Sequence, residues 1–88
     1  GMDTDKVRAW LQGRPGVTEV HDLHIWAMST TETALTAHVI RPVHEDDADA
    51  FLHSVCAGLN DEFGIGHSTL QVERGTGTDC RLAPAHVV

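Results

Sequence analysis

Apolar positions set the elements. Val7, Trp10 and Leu11 recur at the spacing of one helical face, and Asp3 or Thr4 stands ready to cap them, so a helix is predicted over residues 3–13. The run Gly13-Arg14-Pro15-Gly16 ends it, with Gly13 expected in the left-handed position that closes a helix. Residues 17–28 read as a strand, residues 29–32 as a polar turn, and residues 33–41 as a returning strand stopped by Pro42. A second helix is predicted over residues 45–63. Its apolar stripe is Phe51, Leu52, Val55, Cys56, Leu59 and Phe63, its first turn is acidic, and Gly64 follows its end. In residues 68–73, Leu70 and Val72 alternate with Thr69, Gln71 and Glu73, the period of a third strand. Beyond Arg74 the chain turns to Gly, Thr and Asp, and residues 75–88 read as a flexible C-terminal tail after one domain spanning 3–74.

The order α-β-β-α-β predicts an α+β, ferredoxin-like domain with two helices on one face of a three-stranded sheet. Pairing the hairpin so that apolar residues meet turns Leu23, Ile25, Leu35, Ala37 and Val39 toward the helices. The open face then carries Asp22, His24, Trp26, Thr36 and His38, joined by His67, Thr69, Gln71 and Glu73 from the third strand. An uncovered sheet with a tryptophan on it is a dimer surface by expectation. One small domain has little core to spare, so a second copy or a metal ion would add useful stability.

Charge sharpens the expected partner. Six Lys and Arg against 13 Asp and Glu leave −7, which disfavours nucleic acid or an anionic membrane surface and suits cations. Seven histidines in 88 residues supply imidazole, the commonest transition-metal ligand. His38, His67 and Glu73 together make a donor set for zinc or a similar divalent ion, with His21, His24, Asp22 or Cys80 open as the fourth. The bland readings take the rest: His44, His53 and His86 as solvated side chains, Cys56 and Trp10 as core. The acidic run at 45–49 lacks the glycine and closing glutamate of a calcium loop and reads as a helix start. Neither a CxxC pair, an HExxH, a phosphate loop nor a nucleophile–base pair occurs, so the sequence offers no reason to expect an enzyme. No apolar run approaches the ~20 residues of a membrane helix. Gly1-Met2 reads as a cleavage remnant plus a start codon, and the natural chain is expected to extend upstream.

Two strings carry a resemblance. Pro15-Gly16-Val17 with Val20-His21-Asp22-Leu23-His24-Ile25-Trp26 and Thr36-Ala37-His38-Val39, then Phe63-Gly64-Ile65-Gly66-His67-Ser68-Thr69-Leu70-Gln71-Val72-Glu73, resemble the C-terminal domain of cation diffusion facilitators over residues 6–74. That resemblance implies a metallochaperone-like fold, a V-shaped homodimer, and a place on the cytoplasmic face of the membrane below the transmembrane domain of the same chain. It implies a regulatory role in which bound Zn2+, or Cd2+, Ni2+ or Co2+, favours a tighter dimer and so biases a divalent metal efflux transporter. By position it places metal ligands on His21, His38, His67 and Glu73, and a tail cysteine on Cys80. This sequence departs from relatives with a paired-thiol tail, since Cys80 is followed by Arg81, Leu82 and Ala83. Strict alternation also sets His21 on the face opposite His38. A bulge or an early strand end near Val20 would bring it across, but the sequence does not show one. The rival from another class is a free-standing cytosolic metal carrier of similar fold. Such carriers display a paired-cysteine loop, and the turns at 14–17 and 29–32 hold no cysteine.

Overall fold

The computed structural model describes residues 3–42 and 47–74. Helix α1 spans Thr4–Gln12, and the Asp3 carboxylate caps it by accepting from the backbone N–H groups of Asp5 and Lys6 at 3.1 and 3.3 Å. Strand β1 covers Glu19–Ala27 and β2 covers Thr33–Ile40. Helix α2 covers Ala48–Phe63 behind an Asp47 cap, and β3 covers His67–Glu73. The expected start of α2 at residue 45 lies outside the described residues.

One expectation about helix ends is corrected. Gly13 is right-handed, with φ −81°, and its N–H donates to the Ala9 and Trp10 carbonyls. The left-handed glycine is Gly16, φ +81°, where the chain turns toward β1. The Arg14-Pro15 step lets the helix close with ordinary geometry before the reversal is needed. Gly64, at φ +70°, does close α2 in the left-handed form.

The sheet order is β1-β2-β3, with β1 antiparallel to β2 and β3 parallel to β2. Parallel pairing needs a crossover, and α2 supplies it. Val7 and Leu11 of α1 and Phe51, Val55 and Leu59 of α2 form one core with Val20, Leu23, Leu35, Ala37, Val39 and Ile65. Both helices therefore cover one face, α1 over β1 and α2 over β3. Trp10 packs against this core from a half-buried position, edge-on to Phe63 at 6.1 Å, with the Arg14 guanidinium 4.0 Å above its ring. Gly58 makes that approach feasible, because a Cβ there would lie 2.4 Å from the indole. Cys56, expected in the core, is only half-buried and lies outside it: α2 buries the Phe51-Val55-Leu59 edge and rolls Cys56 to the rim.

Arg41, just past β2, ties down the end of the sheet where β3 finishes. Its side chain is buried, its Nε donates to the Pro15 carbonyl at 2.9 Å, and its guanidinium lies 3.8 Å over Phe51. Its backbone N–H donates to the Glu73 carbonyl at 2.6 Å, which holds the last residue of β3 against β2.

Candidate metal centre

Residues of β1 up to His21 pair in register with β2, Val20 with Val39 and His21 with His38. From His24, which pairs with Thr36, the register has shifted by one. Asp22 and Leu23 thus both oppose Ala37, a β-bulge, and Asp22 takes φ +50° to make it. This irregularity answers the question of faces. Val20 and Leu23 are both buried in the core, three residues apart, and His21 comes to the open face beside His38.

On that face His38 is 5% exposed although it belongs to no helix-covered layer. Its Nε2 lies 2.8 Å from Glu73 Oε1, and its Nδ1 lies 4.0 Å from Asp22 Oδ2. Glu73 Oε1 also accepts from the Gln71 amide at 3.0 Å, so a neighbour on its own strand steadies the carboxylate. His21 Nε2 approaches Glu19 Oε1 at 3.3 Å. The Nδ1 approach is beyond hydrogen-bond distance, and the two Nε2 approaches are close ion-pair contacts that do not meet hydrogen-bond geometry. Among the described residues, the buried side-chain polar atoms without a hydrogen-bond partner are His21 Nε2, His38 Nε2, Glu73 Oε2 and Ser68 Oγ. Three of the four belong to this one cluster. An unsatisfied buried polar group costs about 1–3 kcal/mol, so a divalent cation accepting these lone pairs fits the residues present.

His67 shares the face but not the place. It pairs with Ala34, whereas Gln71 is the neighbour of His38, so His67 stands four residues further along β3, about 13 Å at strand rise. There its Nε2 lies 3.7 Å from Glu32 Oε1. Cys80, His44 and His86 lie outside the described residues. His53 is exposed on α2, on the covered side of the sheet. Among the described residues no three His, Cys, Asp or Glu side chains, His21, His38 and Glu73 included, stand in an arrangement that could already hold a metal ion. Asp22, His24, Thr36, His38, Thr69 and Gln71 instead line an open cavity of about 270 Å³ in the centre of the face. Trp26 and Met28, about half exposed, extend the same surface beyond it.

The residue that face assignment from alternation missed is Asp22 in its bulging role. A signal for it exists. The apolar spacing Val20, Leu23, Ile25 is three and then two, and aspartate is one of the few residues that tolerates the left-handed region.

The profile of the cytoplasmic domain of cation efflux proteins matches residues 1–75 of the chain. The chain belongs to that family. Metal tolerance protein 1 of Arabidopsis thaliana is 40% identical to this cation efflux domain over 74 residues, 83% of the chain and 18% of the relative. The metal cation efflux system protein CzcD of Cupriavidus metallidurans is 35% identical over 72 residues, 82% of the chain and 23% of the relative. The domain thus spans about a fifth of the length of the curated relatives it matches. Among solved structures, the metal-bound C-terminal domain of CzcD superposes with a TM-score of 0.71 at 34% identity, covering 82% of this chain and 99% of that one. A structure of the putative zinc transporter CzrB superposes at 0.70 and 24% identity, over 83% and 96% of the two chains, a likeness of fold. The α-β-β-α-β arrangement expected from the sequence is the arrangement these domains share. The family is one of metal efflux proteins, and no helix among the described residues of this domain is long and apolar enough to cross a membrane.

Proposed function

We propose that this cation efflux domain is the metal-sensing regulatory part of a divalent transition-metal transporter, acting at the cytoplasmic face of the membrane as a homodimer. The observation that carries the reading is the cluster of unsatisfied donors: His21 Nε2, His38 Nε2 and Glu73 Oε2 are buried, lack hydrogen-bond partners and stand at one end of an uncovered sheet face. Two imidazoles and a carboxylate suit Zn2+, and with less selectivity Cd2+, Ni2+ or Co2+. The similarity to a metal cation efflux system protein and to a vacuolar zinc transporter supports that class of ion.

The described residues of one chain supply only part of a coordination shell, and further donors must complete it. Cys80 and the His67 of a second copy are the available candidates of this sequence. An ion that is fully coordinated only when two copies close together is bound better by the closed dimer and shifts the population toward it. That differential affinity is the regulatory act. The exposed Trp26 and Met28 on the same face are the surface over which the copies meet.

The test is calorimetric zinc titration of the purified chain combined with light scattering. The expected result is micromolar or tighter binding, proton release, and a more compact dimer on loading. A monomer at micromolar concentration that takes up no zinc would overturn the proposal.

A further inference from the structure

We infer that Asp22 is the positioning residue of the metal centre, and that it acts through its backbone: its left-handed conformation absorbs one extra residue in β1 and thereby delivers His21 to the face that carries His38. The inference rests on the metal-binding reading above and deepens it.

After the bulge, His24 pairs with Thr36, Ile25 with Leu35 and Trp26 with Ala34, which buries the Leu23 side of the strand and leaves Trp26 outside. Before it, Val20 pairs with Val39 and is buried, and His21 pairs with His38. Leu23 and Val20 both belong under the helices, yet three residues separate them, and a regular strand sends residues three apart to opposite faces. Without a bulge, one half must be misplaced. Keeping Leu23 and Ile25 in the core turns Val20 outward and drives His21 in among α1 and the core. The extra residue resolves the conflict, and Asp22, φ +50°, is where it is absorbed. An L-residue there costs about 1–2 kcal/mol unless it is glycine, asparagine or aspartate.

The Asp22 carboxylate is a separate matter. Its Oδ2 is 4.0 Å from His38 Nδ1, beyond a direct hydrogen bond, and Asp22 is well exposed. The geometry therefore assigns the larger effect to backbone conformation.

Three changes at this position separate the roles. Asp22→Gly keeps the left-handed conformation and removes the carboxylate. Deletion of Asp22 removes the extra residue itself, so that Val20, His21, Leu23 and His24 alternate regularly with His21 still outward. Asp22→Val keeps the extra residue but disfavours the conformation that absorbs it. Zinc affinity is read by calorimetry, and the placement of His21 by cross-strand NOEs to His38 in the metal-free protein. The expected result for Asp22→Gly and the deletion is that the NOEs persist, with any loss of affinity smaller than in Asp22→Val. Asp22→Val should lose both, with affinity down at least tenfold. A tenfold loss in Asp22→Gly and in the deletion would overturn the inference and make the carboxylate a ligand. Parent-like affinity and NOEs in Asp22→Val would overturn it equally. Should Asp22→Val fail to fold, the other two decide. His38→Ala run alongside distinguishes a failure of the wider reading: if that variant binds zinc like the parent, the site itself is elsewhere.

Discussion

The two ends of the open sheet face differ in what they leave unfinished. At the His21-His38-Glu73 end the groups are polar, sequestered and short of partners. At the other end Trp26 and Met28 are exposed and apolar, with His67 and Glu32 an exposed pair beside them. The first end gathers donor atoms and the second presents an apolar surface. Backbone accounts for the contrast. The bulge at Asp22 and the Arg41-Glu73 backbone bond bring side chains inward at one end. At the other, β1 leaves the sheet through the exposed turn after Ala27, and nothing in the chain's described residues folds back over it.

The largest expected effect lies beneath both ends. Leu59→Ala empties a fully buried site under the sheet and should lower unfolding stability by about 2–5 kcal/mol, read by urea titration. Zinc affinity of the fraction still folded should stay within about threefold; a collapse of affinity would mean that the site depends on helix packing more than on β1 and β3. Next comes His38→Ala, for which calorimetry should show at least a tenfold loss of zinc affinity, about 1.4 kcal/mol, while His53→Ala stays near the parent. Equal losses would place the ion on the helix side and dissolve the contrast between the ends.

Trp26→Glu attacks the apolar end. Sedimentation velocity should show a dimer weakened about tenfold, as burial of a charge replaces burial of an indole. A dimer of unchanged strength would move the interface away from this end. His67→Ala sharpens the comparison most finely. Acting within one chain it stands too far from His38 to share an ion, and a monomer-forming variant should lose less than threefold when it is removed. In the dimer, a loss as large as that of His38→Ala would show that the partner copy's imidazole completes the shell. Acidification should weaken zinc binding at the polar end, since an imidazole coordinates only after losing its proton. Sedimentation of the metal-free dimer at the same pH values provides the control for the apolar end.

Much of this was legible in the sequence because it depends on local rules. Helix stripes, a cap at Asp3 or Thr4, the turn at 29–32, Gly64 as a helix terminator and the alternation of β3 follow from spacing and residue type. So does the sharing of one open face by His38, His67 and Glu73, since β2 and β3 are regular and a period of two propagates without error. Three things required the tertiary structure. Cys56 belongs to an apolar stripe, but the roll of α2 on the sheet decides which edge of the stripe is buried, and that roll is set by the fit of Phe51, Val55 and Leu59 against the strands. His67 and Glu73 sit on one face, but only strand register says that His38 meets Glu73 and that His67 lies four residues along β3 from the neighbour of His38. The side of the sheet on which His21 lies depends on one backbone torsion at Asp22, and local preference permits that torsion without demanding it. The demand comes from Val20 and Leu23, which must enter the same core from one strand at odd spacing. Satisfying both is a property of the packed domain, because the helices that reward their burial lie far away in the chain.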